Sequence, residues 1–435
     1  MTNITHRRIW AISWPILLSN ATIPILGAID TAVVGQMGTA APIGAVGLGA
    51  IILASVYWIF GFLRMGTSGL AAQAHGAGTR AERAAILYRA LLIGLVAGVA
   101  IVVLQWPLLW SAFRLAPASD EVEALARDYL TIRIWGAPWT IALYAINGWL
   151  IALERSKGVL WLQLWINGVN ALLDCWFVLG LGWGVGGVAS ATLIAEMTGF
   201  GLGIYLCRDA FGYVRPAALA RLRDRAALKK MMSVNGVIML RTVLLQAAFT
   251  AFLFLGSGLG DVPLAANQIL MQFLSIAAYA LDGFAFAAET LIGQAIGARD
   301  GHSMDRAARL SFQWSIGGSV LIGCGYFLFG PMVIDLMTAA PDVRATAKEL
   351  LIWAALAPVI GIAGWMYDGF FIGATLTRAM LRSVAWSVLV YVLALVTLLP
   401  DYGNAGLWAS LMMMNAARGL LGWWIWAGGR ATFTA

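Results

Sequence analysis

The sequence predicts an all-α polytopic membrane protein, with twelve transmembrane helices in two six-helix lobes related by pseudo-twofold symmetry along the membrane normal. Three observations predict it. Of 435 residues, 61% are hydrophobic and only 11% charged, against roughly 25% charged in a soluble domain. Apolar runs of about 20 residues or more recur along the chain, each long enough to cross a ~30 Å hydrocarbon core. The ~10-residue alternating segments of a membrane β-barrel do not appear. Finally, three pairs of segments repeat at one constant offset.

The spans run roughly 9–36, 41–74, 84–111, 121–152, 158–181, 184–207, 229–257, 262–297, 305–335, 345–374, 378–399 and 404–428. Several exceed 25 residues, which implies tilt, kinks or extension beyond the bilayer. The first follows a basic head (His6, Arg7, Arg8), carries Asp30 and has no small-residue cleavage motif, so it reads as a retained helix. The turns GQMGTAAP and GSGLGDVP separate spans one from two and seven from eight. The connector within 208–228 is the candidate lobe boundary, giving an N-terminal lobe (1–210), a cytoplasmic linker (211–228) and a C-terminal lobe (229–435).

The chain carries a net charge of +7. Its basic residues gather in connectors, where they orient the protein rather than bind nucleic acid. Arg80, Arg83, Arg155, Lys157, Arg299, Arg306, Arg378 and Arg382 follow even-numbered spans; the linker adds Arg215, Arg221, Arg223 and Arg225, with Lys229 and Lys230 just beyond it. Both termini are therefore expected on the cytoplasmic side. The odd, dispersed cysteines Cys175, Cys207 and Cys324 offer neither a disulfide framework nor a metal cluster.

APIGAV (41–46) resembles VPLAAN (262–267), AAQAHGAG (71–78) resembles IGQAIGAR (292–299), and NGWLIA (147–152) resembles DGFFIG (368–373). Each pair lies 221 positions apart. With six spans per copy both halves enter the membrane in the same direction, an arrangement typical of transporters that alternate access.

Charges inside spans cost about 2.5–3.5 kcal/mol each on insertion scales, so each needs a reason. Asp30 in span one, Tyr129 in span four, Asn170 and Asp174 one turn apart in span five, and Thr192 in span six fall at one depth in the outer half of the first lobe. Two carboxylates in a poorly solvated pocket cannot both ionise cheaply, so one should hold a proton. The oxygens of Asp30, Asn170, Asp174 and Thr192 could instead surround Na⁺ as metal ligands. The plainer alternative is that these groups only hydrogen-bond helices together. The offset puts Ala251 and Leu395 opposite the two acids, so the second lobe lacks this pocket. It carries Asp282, Glu289 and Asp368, with Arg241 as the obvious cation to pair with one of them. Three acids against one Arg predict a cavity of net negative character suited to cationic cargo, or else a salt-bridge network locking helices. Met65, Trp135, Trp139, Trp365 and Met366 are candidates to line an adaptable cavity. Pro15 and Pro24 make span one able to bend.

The segments IDTAVVGQMG, NALLDCWFVLGLGWGVGGVASAT, LDGFAFAAETLIGQAIGARDG and YDGFFIGATLTRAM together resemble the multidrug and toxic compound extrusion (MATE) family, in its DinF branch. The resemblance spans essentially the whole chain. It implies a bacterial inner-membrane antiporter, monomeric, that exports organic cations or other toxic compounds against inward H⁺ or Na⁺ flow. In this branch H⁺ is the more usual proposal, and no cofactor beyond the coupling ion is implied. The same resemblance assigns the coupling pocket to Asp30, Tyr129, Asn170, Asp174 and Thr192, a hinge to Pro15, and the central cavity to Asn147. Two rivals remain: a lipid-linked precursor flippase, which would favour a basic, lipid-accessible cavity, and an intramembrane hydrolase. The latter lacks HExxH, and the three histidines (His6, His75, His302) sit near helix ends.

Overall fold

A computed structural model describes residues 3–115, 118–212, 221 and 224–429. Most of the linker expected at 211–228, with Arg215 and Arg223, lies outside the described residues. The described chain is helical throughout: α1 (His6–Gly35), α2 (Ala40–Ile59), α3 (Phe62–Gly76), α4 (Arg80–Val103), α5 (Gln105–Leu115), α6 (Asp120–Arg133), α7 (Ala137–Ala152), α8 (Ser156–Asp174), α9 (Gly184–Leu206), α10 (Arg208–Phe211), α11 (Arg225–Ser257), α12 (Asp261–Gly297), α13 (Gly301–Met337), α14 (Pro341–Gly373) and α15 (Thr377–Gly429). Ten stretches among the described residues are individually long and apolar enough to cross a membrane. The crossing made jointly by α6 and α7, and the second limb of α15, complete the expected twelve.

Where helices break, the sequence supplies the cause. The expected span 121–152 divides after Arg133 into a single tight 3₁₀ turn, Ile134–Gly136, before Pro138 opens α7. The expected spans 378–399 and 404–428 run into one another until Gly403, whose φ of +51° reverses the chain just past Pro400. Gly406 then lies against the Leu398 carbonyl, and a Cβ there would sit 2.2 Å from that oxygen. Beyond Asp174 the helix widens into a π-helical turn, Cys175–Gly180, a distortion that often accompanies functional residues.

The 221-residue repeat is written into the backbone. Left-handed residues end matching helices: Gly78 (φ 70) and Arg299 (φ 55), Glu154 (φ 59) and Thr375 (φ 55), and Gly182 (φ 68) and Gly403 (φ 51) mark equivalent turns. The first two pairs close with the same 6→1 Schellman hydrogen bond. Thr79 N donates to Ala74 O at 3.1 Å and Asp300 N to Ala295 O at 2.9 Å. Likewise Arg155 N donates to Leu150 O at 2.8 Å and Leu376 N to Phe371 O at 2.7 Å. Close helix approach repeats as well. A Cβ on Gly148 would lie 2.3 Å from the Arg64 carbonyl oxygen, and one on Gly369 2.7 Å from that of Ala285, the residues again 221 apart.

By contact density the chain forms two units: Leu18–His75 with Thr79–Asn235, and Gly236–Ala435 with Met1–Leu17 and Gly76–Gly78. The division falls inside α1, two residues after Pro15. Within the second unit, the start of α1 is held by Arg306 Nε donating to Ile4 O at 2.6 Å and by Trp10 packing on Phe284 and Trp314. The core of that unit gathers Phe252, Phe273, Tyr391, Trp408 and the alanines of α14. In the first unit Trp149 is fully buried and donates through Nε1 to Arg83 O at 3.1 Å.

Candidate ion-coupling site and its counterpart in the second half

Three helices of the first unit each present a polar pair one turn apart, on one face: Tyr129 and Arg133 on α6, Asn170 and Asp174 on α8, Thr192 and Glu196 on α9. Asn170 Nδ2 donates to Asp174 Oδ2 at 2.6 Å, both residues being fully buried. The Asp30 carboxyl, from the outer part of α1, comes within hydrogen-bonding reach of Asp174. The Oδ1 atoms of Asp30, Asn170 and Asp174 are buried with no hydrogen-bond partner. Three buried oxygen acceptors thus stand without donors, and oxygen ligands suit a proton or a small hard cation.

Two charged residues that the sequence reading passed over complete the site. Arg133 donates to Glu196 through two nitrogens, at 2.8 and 3.1 Å, and also reaches the Tyr129 hydroxyl. Its charge acts on both Asp30 and Asp174. Room for this ion pair comes from Gly136, where a Cβ would stand 2.5 Å from Glu196 Oε2 and 3.1 Å from Arg133 Nη1. Room for Tyr129 comes from Gly49, where a Cβ would meet its ring at 2.4 Å. Tyr57, from α2, lies in the field of Arg133 and Glu196. Thr192 spends its hydroxyl proton on the Val188 carbonyl of its own helix, at 3.0 Å, leaving only its lone pairs for a cation. Asn147 is half-buried on α7 with an unpartnered Oδ1, and Met65 is half-buried on α3. Trp135 is exposed, and Trp139 packs on Phe200.

The second unit is built differently. Asp368, on α14, takes hydrogen bonds from two guanidinium groups on the same oxygen, Oδ2: Arg241 Nη2 from α11, and Arg418 Nη2 from the second limb of α15 at 2.7 Å. Arg418 is a second guanidinium that the sequence does not single out, so two arginines meet the one carboxylate of Asp368. Asn415 Oδ1 accepts weakly from Arg418 Nη1 at 3.4 Å. Gly364, one turn before Asp368, lets the α15 limb close in, since a Cβ there would already meet Arg418 Cβ at 3.0 Å. Glu289 is fully buried on α12 and Asp282 half-buried on the same helix. Met366 is fully buried core and Pro15 is buried within a continuous α1. No group of three or more metal-ligating His, Cys, Asp or Glu side chains occurs among the described residues.

A duplicated six-helix unit with ionisable groups buried at span depth defines a membrane transporter. A model of the MatE family matches residues 15–176 and again 238–397, once in each half. The chain belongs to that family, the multidrug and toxic compound extrusion transporters. It is 36% identical over 418 residues to DNA damage-inducible protein F of Escherichia coli (strain K12), covering 96% of this chain and 91% of that protein. It is 28% identical over 424 residues to a probable multidrug resistance protein NorM of Rhizobium meliloti, covering 90% and 86%. An outward-facing multidrug resistance MATE family transporter of the MOP superfamily superposes with a TM-score of 0.90 at 20% identity, covering 99% of this chain and 97% of that one. A MOP superfamily transporter from Pyrococcus furiosus superposes with a TM-score of 0.88, also at 20% identity, covering 99% and 97%. At such identity the two superpositions speak for the fold alone.

Proposed function

We propose that the protein is a monomeric antiporter of the bacterial inner membrane. It exports toxic organic compounds, organic cations among them, in exchange for H⁺ or Na⁺, with H⁺ the favoured ion. One observation carries this reading: the Asp30 and Asp174 carboxyls stand within hydrogen-bonding reach of each other in a buried site. A carboxyl–carboxyl hydrogen bond needs one proton between the two groups, so the pair is a place to load and unload a single charge. The unpartnered Oδ1 atoms of Asp30, Asn170 and Asp174 would serve Na⁺ in the same place. Tyr129 and Thr192 complete the pocket.

Loading the pair cancels its negative charge. Loss of that charge frees the outer part of α1 to shift against α8, with Pro15 as the hinge. That the contact division of α1 falls at Leu17 supports a hinge there. Cargo contacts are assigned to Asn147 and Met65 in the first half and to Asp282, Glu289, Asp368 and Arg241 in the second. Alternating access then returns the ion to the cytoplasm, where both termini lie. The flippase reading keeps one point in its favour, the arginine-rich surroundings of Asp368. The test is ethidium efflux from vesicles holding Asp30→Asn: efflux is lost while the purified variant remains folded. Wild-type efflux by that variant removes the proposal.

A further inference from the structure

The charge balance around Asp368 points beyond a cation exporter. Arg241 and Arg418 are 8% and 4% exposed, and Asp368 is the acid that both engage among the described residues. The cluster thus holds one positive charge in excess inside membrane-spanning helices, where an uncompensated guanidinium is costly. Its donors are also under-used. Two guanidinium groups carry ten N–H donors between them. In contrast, Arg241 makes one hydrogen bond and Arg418 two, and the Nε of each is buried without an acceptor. Both guanidiniums converge on Oδ2 alone, so Asp368 does not take up the fork geometry that either arginine offers. Nor is the cluster sealed, since the Arg241 and Asp368 side chains keep 10% and 13% of their surface.

We infer that Arg241 and Arg418, braced by Asp368 and Asn415, form an anion subsite in the second half of the protein that receives a carboxylate, sulfonate or phosphate group carried by the cargo. The inference rests on the reading of the protein as an exporter and specifies its substrates: amphiphiles bearing an anionic group, zwitterions included. Asp368 acts as a brace. It holds the two guanidiniums together in the empty state and yields donors as the incoming anion takes its share. The repeat explains why only one half does this. The residues equivalent to Arg241 and Asp368 at the 221 offset are Asn20 and Asn147, which are neutral.

An isosteric pair of fluorescent probes tests it: 9-anthracenecarboxylate and 9-aminomethylanthracene, titrated by fluorescence anisotropy against the full-length protein in detergent. The carboxylate is expected to bind the wild type and to be displaced by benzoate but not by benzylamine. Arg418→Gln and Arg241→Gln should each weaken it at least roughly tenfold, the scale of one lost charged hydrogen bond, with the amine unaffected. Arg418→Lys should recover part of the loss. Asp30→Asn should bind the carboxylate normally, so failure of the coupling reading and failure of this one are distinguishable. Equal binding of both probes, or indifference of the carboxylate to benzoate, overturns the subsite without recourse to any variant. Reconstituted vesicles separate the sources of the anion. Arginine-dependent export of the carboxylate identifies a soluble cargo, and arginine-dependent movement of fluorescent phosphatidylglycerol identifies a lipid headgroup. Arginine-independent movement of both counts against the subsite.

Discussion

Glu196 shows how much a single side chain inside a membrane protein depends on its partner. Its carboxylate takes two hydrogen bonds from Arg133, with the side chains only 12% and 8% exposed. Removing one member of such a pair leaves a buried charge uncompensated, at a cost of about 3–5 kcal/mol, whereas replacing both by apolar residues is often neutral or better. Glu196→Gln should therefore lower the thermal midpoint sharply in detergent, and a joint Arg133→Met, Glu196→Met change should restore most of it. A double variant no more stable than the single one would contradict this account. The pair also shows what the sequence offered and what it withheld. Asp30, Asn170 and Asp174 are legible because they interrupt apolar runs. Arg133, Glu196 and Arg418 interrupt spans too, and the same insertion penalty applies to them. Arg133 is masked by the acidic, amphipathic stretch that leads into it, and no sequence rule says which of several intramembrane charges will meet. That depends on Gly136 and Gly364 permitting close approach, a property of packing.

At the scale of an element, the helix ends carry the clearest trace of duplication. Four equivalent helix ends use a left-handed residue and a Schellman bond, yet only Gly78 is glycine; Arg299, Glu154 and Thr375 hold positive φ with a side chain. For Thr375 the β-branch makes this costly. The left-handed penalty of about 1–2 kcal/mol exceeds the extra unfolded entropy of glycine, about 0.5–1 kcal/mol. Thr375→Gly should consequently raise the thermal midpoint, by the equivalent of up to about 1 kcal/mol, and Gly78→Thr should lower it. A loss of stability in Thr375→Gly would show that the threonine side chain contributes packing that outweighs its strain. The twelve crossings, their order and the 221 repeat were legible in the sequence, because length and apolarity decide them. The break after Arg133 and the π-helical turn after Asp174 were not, since continuous hydrophobicity hides a local change of helical pitch.

For the whole molecule, the two halves share a backbone plan and differ in charge. Paired acids occur in one, and an arginine pair about a single acid in the other. On the proposed reading, ion loading in the first half and cargo charge in the second are separate variables, so that transport is driven through one without altering the other. Gradients imposed singly on reconstituted vesicles make the distinction measurable. A proton gradient without Na⁺ is expected to drive export, and a Na⁺ gradient at equal pH is expected to drive little, because the Asp30–Asp174 contact is suited to sharing a proton and Thr192 already donates along its own helix. Asp30→Asn should abolish the response to the proton gradient. Arg418→Gln should leave ion uptake in the absence of cargo unchanged while reducing export of an anionic dye. Export driven equally by Na⁺ alone would reassign the three unpartnered oxygens to a metal ion. Loss of ion uptake in Arg418→Gln would show that the halves are not separate variables and that the arginines serve the coupling step itself.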